Sequence, residues 1–305
     1  MNKEETRTIL RYFREYRERF YYFKDRYALL LLNLAADGEI SKNDIKASPF
    51  AQLLDKTVVK ELMSTVGSKA VAPTDLEMYW PKDVQFYYLT LGVWNGTRDR
   101  WNQTSRRGYN LVLQLNFSNQ HNGLYRRLVD PECERPFEYR CHPVSKTMHT
   151  LAWSRMDIDL ERGEALIEEI QTDWIREARW AYREALSDNP WFYWNTDLKK
   201  ERVIRYVEKV LKAHEATWDE AMLASTLWFL RREIGIRKIY YHTHETGAAM
   251  KAIRNRLPPK SLYTRLPKKF CFKETREAPA FIWRKSRSLE KRKKVDEAKF
   301  HALTF

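Results

Sequence analysis

Between residues 84 and 170 apolar positions gather into four short runs: Val84–Trp94 (VQFYYLTLGVW), Tyr109–Phe117 (YNLVLQLNF), His149–Ile158 (HTLAWSRMDI) and Ala165–Ile170. β-Branched and aromatic residues dominate each run, and turn-like segments separate them, so each is expected to be a strand. The link Asp159–Glu164 (DLERGE) is short, which makes the last two strands an expected antiparallel hairpin. Outside this block the period changes. Glu4–Ala35 repeats aromatic and aliphatic residues at three-to-four spacing among arginines and glutamates. It is expected as one or two helices with Phe13, Tyr16, Phe20, Phe23 and Tyr27 on a packing stripe. Ser41–Ala47 and Asp55–Val66 are expected as shorter helices opened by capping-type residues. After Trp174, helices are expected over Ile175–Leu186, Leu198–His214 and Trp218–Ile234, the last ended by Gly235. Arg237–His242 is expected as a strand, Gly247–Arg254 as a helix, and Lys269–Lys273 with Ala280–Trp283 as a closing pair of strands.

This pattern describes an α+β protein: a mixed, mainly antiparallel sheet flanked by helices. A helical segment over residues 1–70 packs on a core over 71–283, which carries a helical insertion at 187–216. A basic tail follows over 284–305.

Composition narrows the partners. Of 305 residues 43% are hydrophobic and 14% aromatic, which places the chain among folded globules. The formal charge of +14 favours an anionic partner, nucleic acid first and an acidic membrane surface second. Only 9 glycines argue against a glycine-rich nucleotide loop. Three cysteines, Cys133, Cys141 and Cys271, are too few for a disulfide framework and suit a reducing compartment. The first twenty residues are charged throughout, and the longest apolar run, Ala28–Leu32, is too short to span a bilayer. The expectation is a cytoplasmic protein that does not enter the membrane.

Candidate chemistry centres on Gly163–Trp174, GEALIEEIQTDW. Two adjacent carboxylates, Glu168 and Glu169, interrupt an apolar strand whose side chains alternate between faces. One of them is expected to face inward, where a carboxylate needs a partner, a metal or a proton. Gln171 and Asp173 follow where the strand hands over to a helix. The sequence strand, helix, parallel strand is expected from Ala165–Ile170 through Trp218–Ile234 to Arg237–His242. The carboxyl ends of such strands gather ligands, which would bring together Gln171, Asp173, His242, His244 and Glu245. The His242–Glu245 run precedes a helix whose first amides suit an anion. The loop Asn95–Gly108 offers Arg98, Arg100, Arg106 and Arg107 to phosphates. Cys133, Cys141 and His142 do not have zinc-ribbon spacing, and no metal site is expected from them.

The IEEIQTDW stretch resembles the EIQSDW signature of uncharacterised domains in very large polyproteins of phages and mobile elements. The likeness runs unevenly over Tyr109–Gly247. It takes in YNLVLQLNF, the His142-Pro143 segment, HTLAWSRMDID and the GIRKIYYHTHETG passage. It implies an association with mobile-element or nucleic-acid biology and no particular reaction. The order of helices, antiparallel strands, helix, strand, helix and closing hairpin is similar to GNAT-type acyltransferases. That resemblance implies Glu168 or Glu169 as a carboxylate base, Tyr263 as the acid for a leaving thiol, and an acyl-CoA-like thioester as donor. The Q/R-x-x-G-x-G/A pyrophosphate loop of that family is absent here. A rival likeness is to PD-(D/E)xK nucleases: Asp157 or Asp159, a hairpin, then Glu169 to Gln171 (EIQ), with glutamine in the place of lysine. It implies Mg²⁺ held by Asp157, Asp159 and Glu169. In a third reading Glu169–Asp173 only fixes the strand–helix junction of a non-catalytic nucleic-acid or protein-binding module by hydrogen bonds.

Overall fold

The computed structural model describes residues 1–13, 15–36, 38–67, 70–95, 103–132, 137–139, 141–187, 200–253, 257–284 and 297–305. The described strands are β1 (Glu18–Tyr22), β2 (Gln85–Asn95), β3 (Tyr109–Phe117), β4 (Thr150–Asp159), β5 (Glu164–Gln171), β6 (Lys238–His242), β7 (Lys273–Thr275) and β8 (Phe300–Thr304). They form an eight-stranded sheet in the order β1-β2-β3-β4-β5-β6-β8-β7. Every neighbouring pair is antiparallel except β5 and β6, which run parallel. The α+β class, the mixed sheet and the β4–β5 hairpin follow the hydrophobic pattern. No helix among the described residues is long and apolar enough to cross a membrane.

The two faces of the sheet differ in kind. Leu111, Leu113, Leu115, Met156, Ile158, Ala165, Ile167 and Tyr241 belong to the main core. Helices Arg26–Ala35, Asp173–Leu186 and Trp218–Trp228 add their apolar residues to that core. Trp218–Trp228 is buried along nearly its whole length, so it carries apolar residues on all sides instead of one stripe. Each fully buried Leu or Ile here contributes about 1.5–3 kcal/mol. The ladder fixes the opposite face by alternation: Trp94 lies across from Asn110, Val112 from Arg155, Gln114 from Trp153, Arg155 from Glu169 and Trp153 from Gln171. Beside a smaller apolar cluster around Leu166, Tyr240 and Phe300, this second face sets Trp94, Val112 and Trp153 among polar and charged side chains.

Three expectations need correction. Glu4–Ala35 is not continuous helix, because β1 lies between helices Lys3–Tyr12 and Arg26–Ala35. Pairing of β1 with β2 buries Phe20 and Tyr22, and that gain overrides the local helical period. Ala280–Arg284 is a short helix, not a strand, and the strand partner of β7 is β8, inside the segment read as a tail. β8 is anchored by buried Phe300 and Leu303 between β6 and β7, and Lys299 bonds Thr243 and Thr246 beside it. Of the expected insertion, residues 188–199 lie outside the described residues, and Lys200–Glu215 is helical with a π-type turn at Val207–Leu211.

Candidate active site at the carboxyl end of β5

A bulge organises this end of the sheet. Arg155 pairs with Glu169 and Met156 with Ile167, which leaves Glu168 as the extra residue of β5. The ladder between β5 and β6 also stops at Ile167 and Tyr241. Strict alternation therefore fails here, and both carboxylates join the polar network of one face instead of pointing apart.

Glu168 is fully buried and saturated. It accepts hydrogen bonds from the Ser105 amide at 3.1 Å and hydroxyl at 2.7 Å, with His242 Nε2 at 3.2 Å. The Ser105 hydroxyl is also 2.7 Å from His242 Nε2, so a neutral imidazole donating from Nε2 satisfies both oxygens. Burial lowers the His242 pKa, in keeping with that neutral ring. Burial alone would raise the Glu168 carboxyl, but the His242 hydrogen bond and the nearby Lys251 and Arg155 bring it down to about 2. Serine and carboxylate meet the same ring nitrogen, whereas a nucleophilic triad places them on opposite nitrogens. The buried Nδ1 of His242 has no hydrogen-bond partner among the described residues.

Glu169 is equally occupied. Its carboxylate pairs with the Arg155 guanidinium and lies 3.7 Å from Lys251 Nζ. Burial pushes its pKa up, yet Lys251 and Arg155 hold it below the usual range. Lys251 also donates to the Glu168 carbonyl at 3.0 Å, the kind of group a bulge leaves without a ladder partner. Arg155 donates to the Gln103 carbonyl at 3.0 Å and lies over the rings of Trp94 and Trp153.

The remaining candidates scatter. Tyr263 is buried against Tyr241, its hydroxyl has no hydrogen-bond partner among the described residues, and burial raises its pKa. His244 lies 3.2 Å from the Pro258 carbonyl, and Glu245 is exposed. Of the loop arginines, Arg106 grips Asp157 with two nitrogens and covers the Phe281 ring, and Arg107 is exposed. Arg98, Arg100 and Cys133 lie outside the described residues. Asp157 also accepts from the Met1 nitrogen at 2.5 Å, and Asp159 caps the β4–β5 turn through the Arg162 amide at 3.2 Å. Among the described residues no group of three His, Cys, Asp or Glu side chains is placed to hold a metal ion.

Asp173 differs from all of these. It opens helix Asp173–Leu186 behind the Thr172 cap. One carboxylate oxygen accepts from His142 Nδ1 at 2.8 Å and Trp153 Nε1 at 3.3 Å. The other accepts from Gln171 at 2.7 Å and Arg176 at 2.6 Å. Burial raises the Asp173 pKa, and His142, Arg176 and Gln171 more than offset that rise. Asp173 is 2% exposed in its side chain, but His142 is 29% exposed. Nδ1 lies within reach of both the Asp173 carboxylate at 2.8 Å and the Gln171 amide at 3.2 Å; with Nδ1 protonated and donating to Asp173, the shorter contact, the imidazole accepts a proton at Nε2. His142 lines a cleft of about 1050 Å³ together with Thr90–Val93, Gln114 and Lys146. Gln114 holds the loop there by donating to the Pro143 carbonyl at 2.8 Å. A Cβ at Gly92 would lie 2.8 Å from that same amide, so glycine is what gives Gln114 its room.

Sequence reasoning found Asp173 and Gln171, but it met His142 as a possible ligand beside the cysteines and in the His142-Pro143 segment of the resemblance, never as a partner of Asp173. No spacing rule links His142 to Asp173, since a loop and the β4–β5 hairpin separate them. No family model, curated protein or solved structure matches the chain.

Proposed function

We propose that this chain is a group-transfer enzyme of the acyltransferase type, with Asp173 and His142 as its proton-handling pair. One observation carries the reading: a buried carboxylate fixes one imidazole nitrogen at 2.8 Å, while the ring faces a cleft large enough for a substrate. The strand arrangement supports it as well. The parallel β5–β6 ladder ends at the bulge, and β8 is inserted between β6 and β7, an order similar to GNAT-type enzymes.

In this chemistry an amine or hydroxyl of the acceptor attacks the acyl carbon. His142 Nε2 takes the proton that the nucleophile loses and Asp173 stabilises the imidazolium that forms; as the acyl carbon's bond to the donor sulfur or oxygen breaks, the imidazolium returns that proton to the leaving thiolate or alkoxide. The pyrophosphate of a nucleotide-bearing donor does not fit the helix after β5. That helix opens on Asp173, and Gln171–Leu186 contains no glycine, so its N-terminus presents a carboxylate instead of a phosphate cradle. The donor expected is an acyl thioester or ester without a pyrophosphate at this point. The charge of +14 favours nucleic acid or another anionic polymer as acceptor or partner.

The saturation of Glu168 and Glu169 favours a second reading, a non-catalytic binding module whose polar network only shapes the sheet. A thioester hydrolysis and transfer assay, read as acceptor-dependent thiol release, separates the two. The transferase reading expects His142→Gln and Asp173→Asn each to lower the rate by about 10²–10⁴-fold while both proteins stay folded. Folded variants with undiminished thiol release would leave the binding module.

A further inference from the structure

The cleft beside His142 is floored by an unfinished sheet edge. β1 pairs only with Gln85–Leu89, while β3 pairs with β2 through to Asn95. Thr90–Val93 therefore have a strand on one side and the cleft on the other, with Phe13, Glu15, Tyr16 and Arg17, which lead into β1, also lining that cleft. Outside the β3 ladder no backbone hydrogen bond is made by Thr90–Val93 among the described residues. An open edge presents N–H and C=O groups at alternate residues, a template for another extended chain. Four residues give an edge of about 13 Å. Arg17 and Lys146 line the same cleft, with Glu15 as an opposing charge.

We propose that Thr90–Val93 bind an extended acidic polypeptide segment as an added strand, and that this segment is the acceptor presented to His142. The role of acceptor rests on the transferase reading; the binding of a strand does not. Main-chain pairing requires N–H and C=O groups repeating at strand spacing, which a polypeptide has and a nucleic acid lacks. The basic side chains on the walls select acidic residues pointing up from the added strand.

The test uses the full chain and a fluorescein-labelled ten-residue peptide of alternating Thr and Glu, followed by fluorescence anisotropy. Two further peptides carry N-methyl groups on the odd or on the even residues, which removes the donors of one edge or the other. The proposal expects saturable binding, a loss of at least about ten-fold with one methylated peptide and a smaller loss with the other. It also expects the double variant Arg17→Glu/Lys146→Glu to weaken the unmodified peptide by about ten-fold. It is overturned if no binding occurs or if both methylated peptides bind like the parent. Displacement of the peptide by a twelve-nucleotide oligo-dT at equal strength would overturn it in favour of a general polyanion surface. Strand-specific binding without any His142-dependent transfer would remove the transferase reading and leave the peptide site standing.

Discussion

Two acidic centres lie within a few residues of each other on and after β5, and they are built in opposite ways. Glu168 and Glu169 sit in a network closed on every side by Ser105, His242, Arg155 and Lys251. Asp173 is just as buried, but one of its partners, His142, reaches the surface of a cleft. The first arrangement spends its charge on holding the sheet together. The second passes the influence of a buried carboxylate to an accessible ring. Burial of an acid alone does not identify chemistry; what matters is whether the network has an outlet.

The largest effects come from breaking the closed centre. Glu169→Ala leaves Arg155 and Lys251 buried with their shared counter-charge removed. Loss of one member of such a network typically costs about 3–5 kcal/mol, so the urea unfolding midpoint is expected to fall steeply. Asp173→Asn keeps the shape but turns one acceptor into a donor facing two donors; because His142 and Arg176 reach water, it is expected to cost about 1–3 kcal/mol, less than Glu169→Ala. A reversed ranking in equilibrium unfolding would mean that the two centres have been assigned the wrong way round.

Acid is expected to act on the closed regions in two stages. Burial keeps His121, His214 and His242 below their ordinary values, His214 near 4. Such groups bind fewer protons folded than unfolded, so stability falls as pH drops below about 6.5. For His214 alone the loss amounts to roughly 3 kcal/mol at pH 4. Glu168, Glu169 and Asp173 have lowered values too. Their contribution is complete above the unfolded carboxylate range and is lost as pH falls through the folded values, adding a second decline below about pH 4.5. Denaturant titrations from pH 8 to pH 3 should show stability falling throughout the acid range; a rise between pH 6.5 and pH 4 would contradict the burial of neutral histidines.

A smaller effect sharpens the open centre. Gly92→Ala forces Gln114 away from its bond to Pro143, next to His142. Overpacking of this kind costs about 1–3 kcal/mol, and transfer activity should fall more than stability does. Smallest is Thr172→Ala, which removes the cap bonded to the Ile175 amide at 3.2 Å and should cost about 1 kcal/mol in thermal unfolding.

The sheet was legible because β2 to β6 are runs of branched and aromatic residues with clear turns between them. β1 was not, since ERFYY lies in a stretch whose arginines and aromatics also fit a helix, and only pairing with β2 decides the matter. β8 was hidden behind a run of basic residues and is fixed by a long-range docking between β6 and β7. At the site, Glu168, Glu169, Gln171 and Asp173 stood out as acids and amides on an apolar strand. Their partners did not, because Ser105, Arg155, His142 and Lys251 come from separate elements and meet only in three dimensions. The bulge itself has no sequence signature in EEIQ, so alternation was the natural expectation and the wrong guide to Glu168.

The most direct test of the account reads the imidazole tautomers by long-range ¹H–¹⁵N NMR of the wild type and Asp173→Asn. The account predicts that neutral His142 carries its proton on Nδ1 and loses that preference in the variant, while His242 keeps its proton on Nε2 in both. A His142 protonated on Nε2 in the wild type, or a preference unchanged by Asp173→Asn, would contradict the claim that Asp173 holds this ring ready to accept a proton.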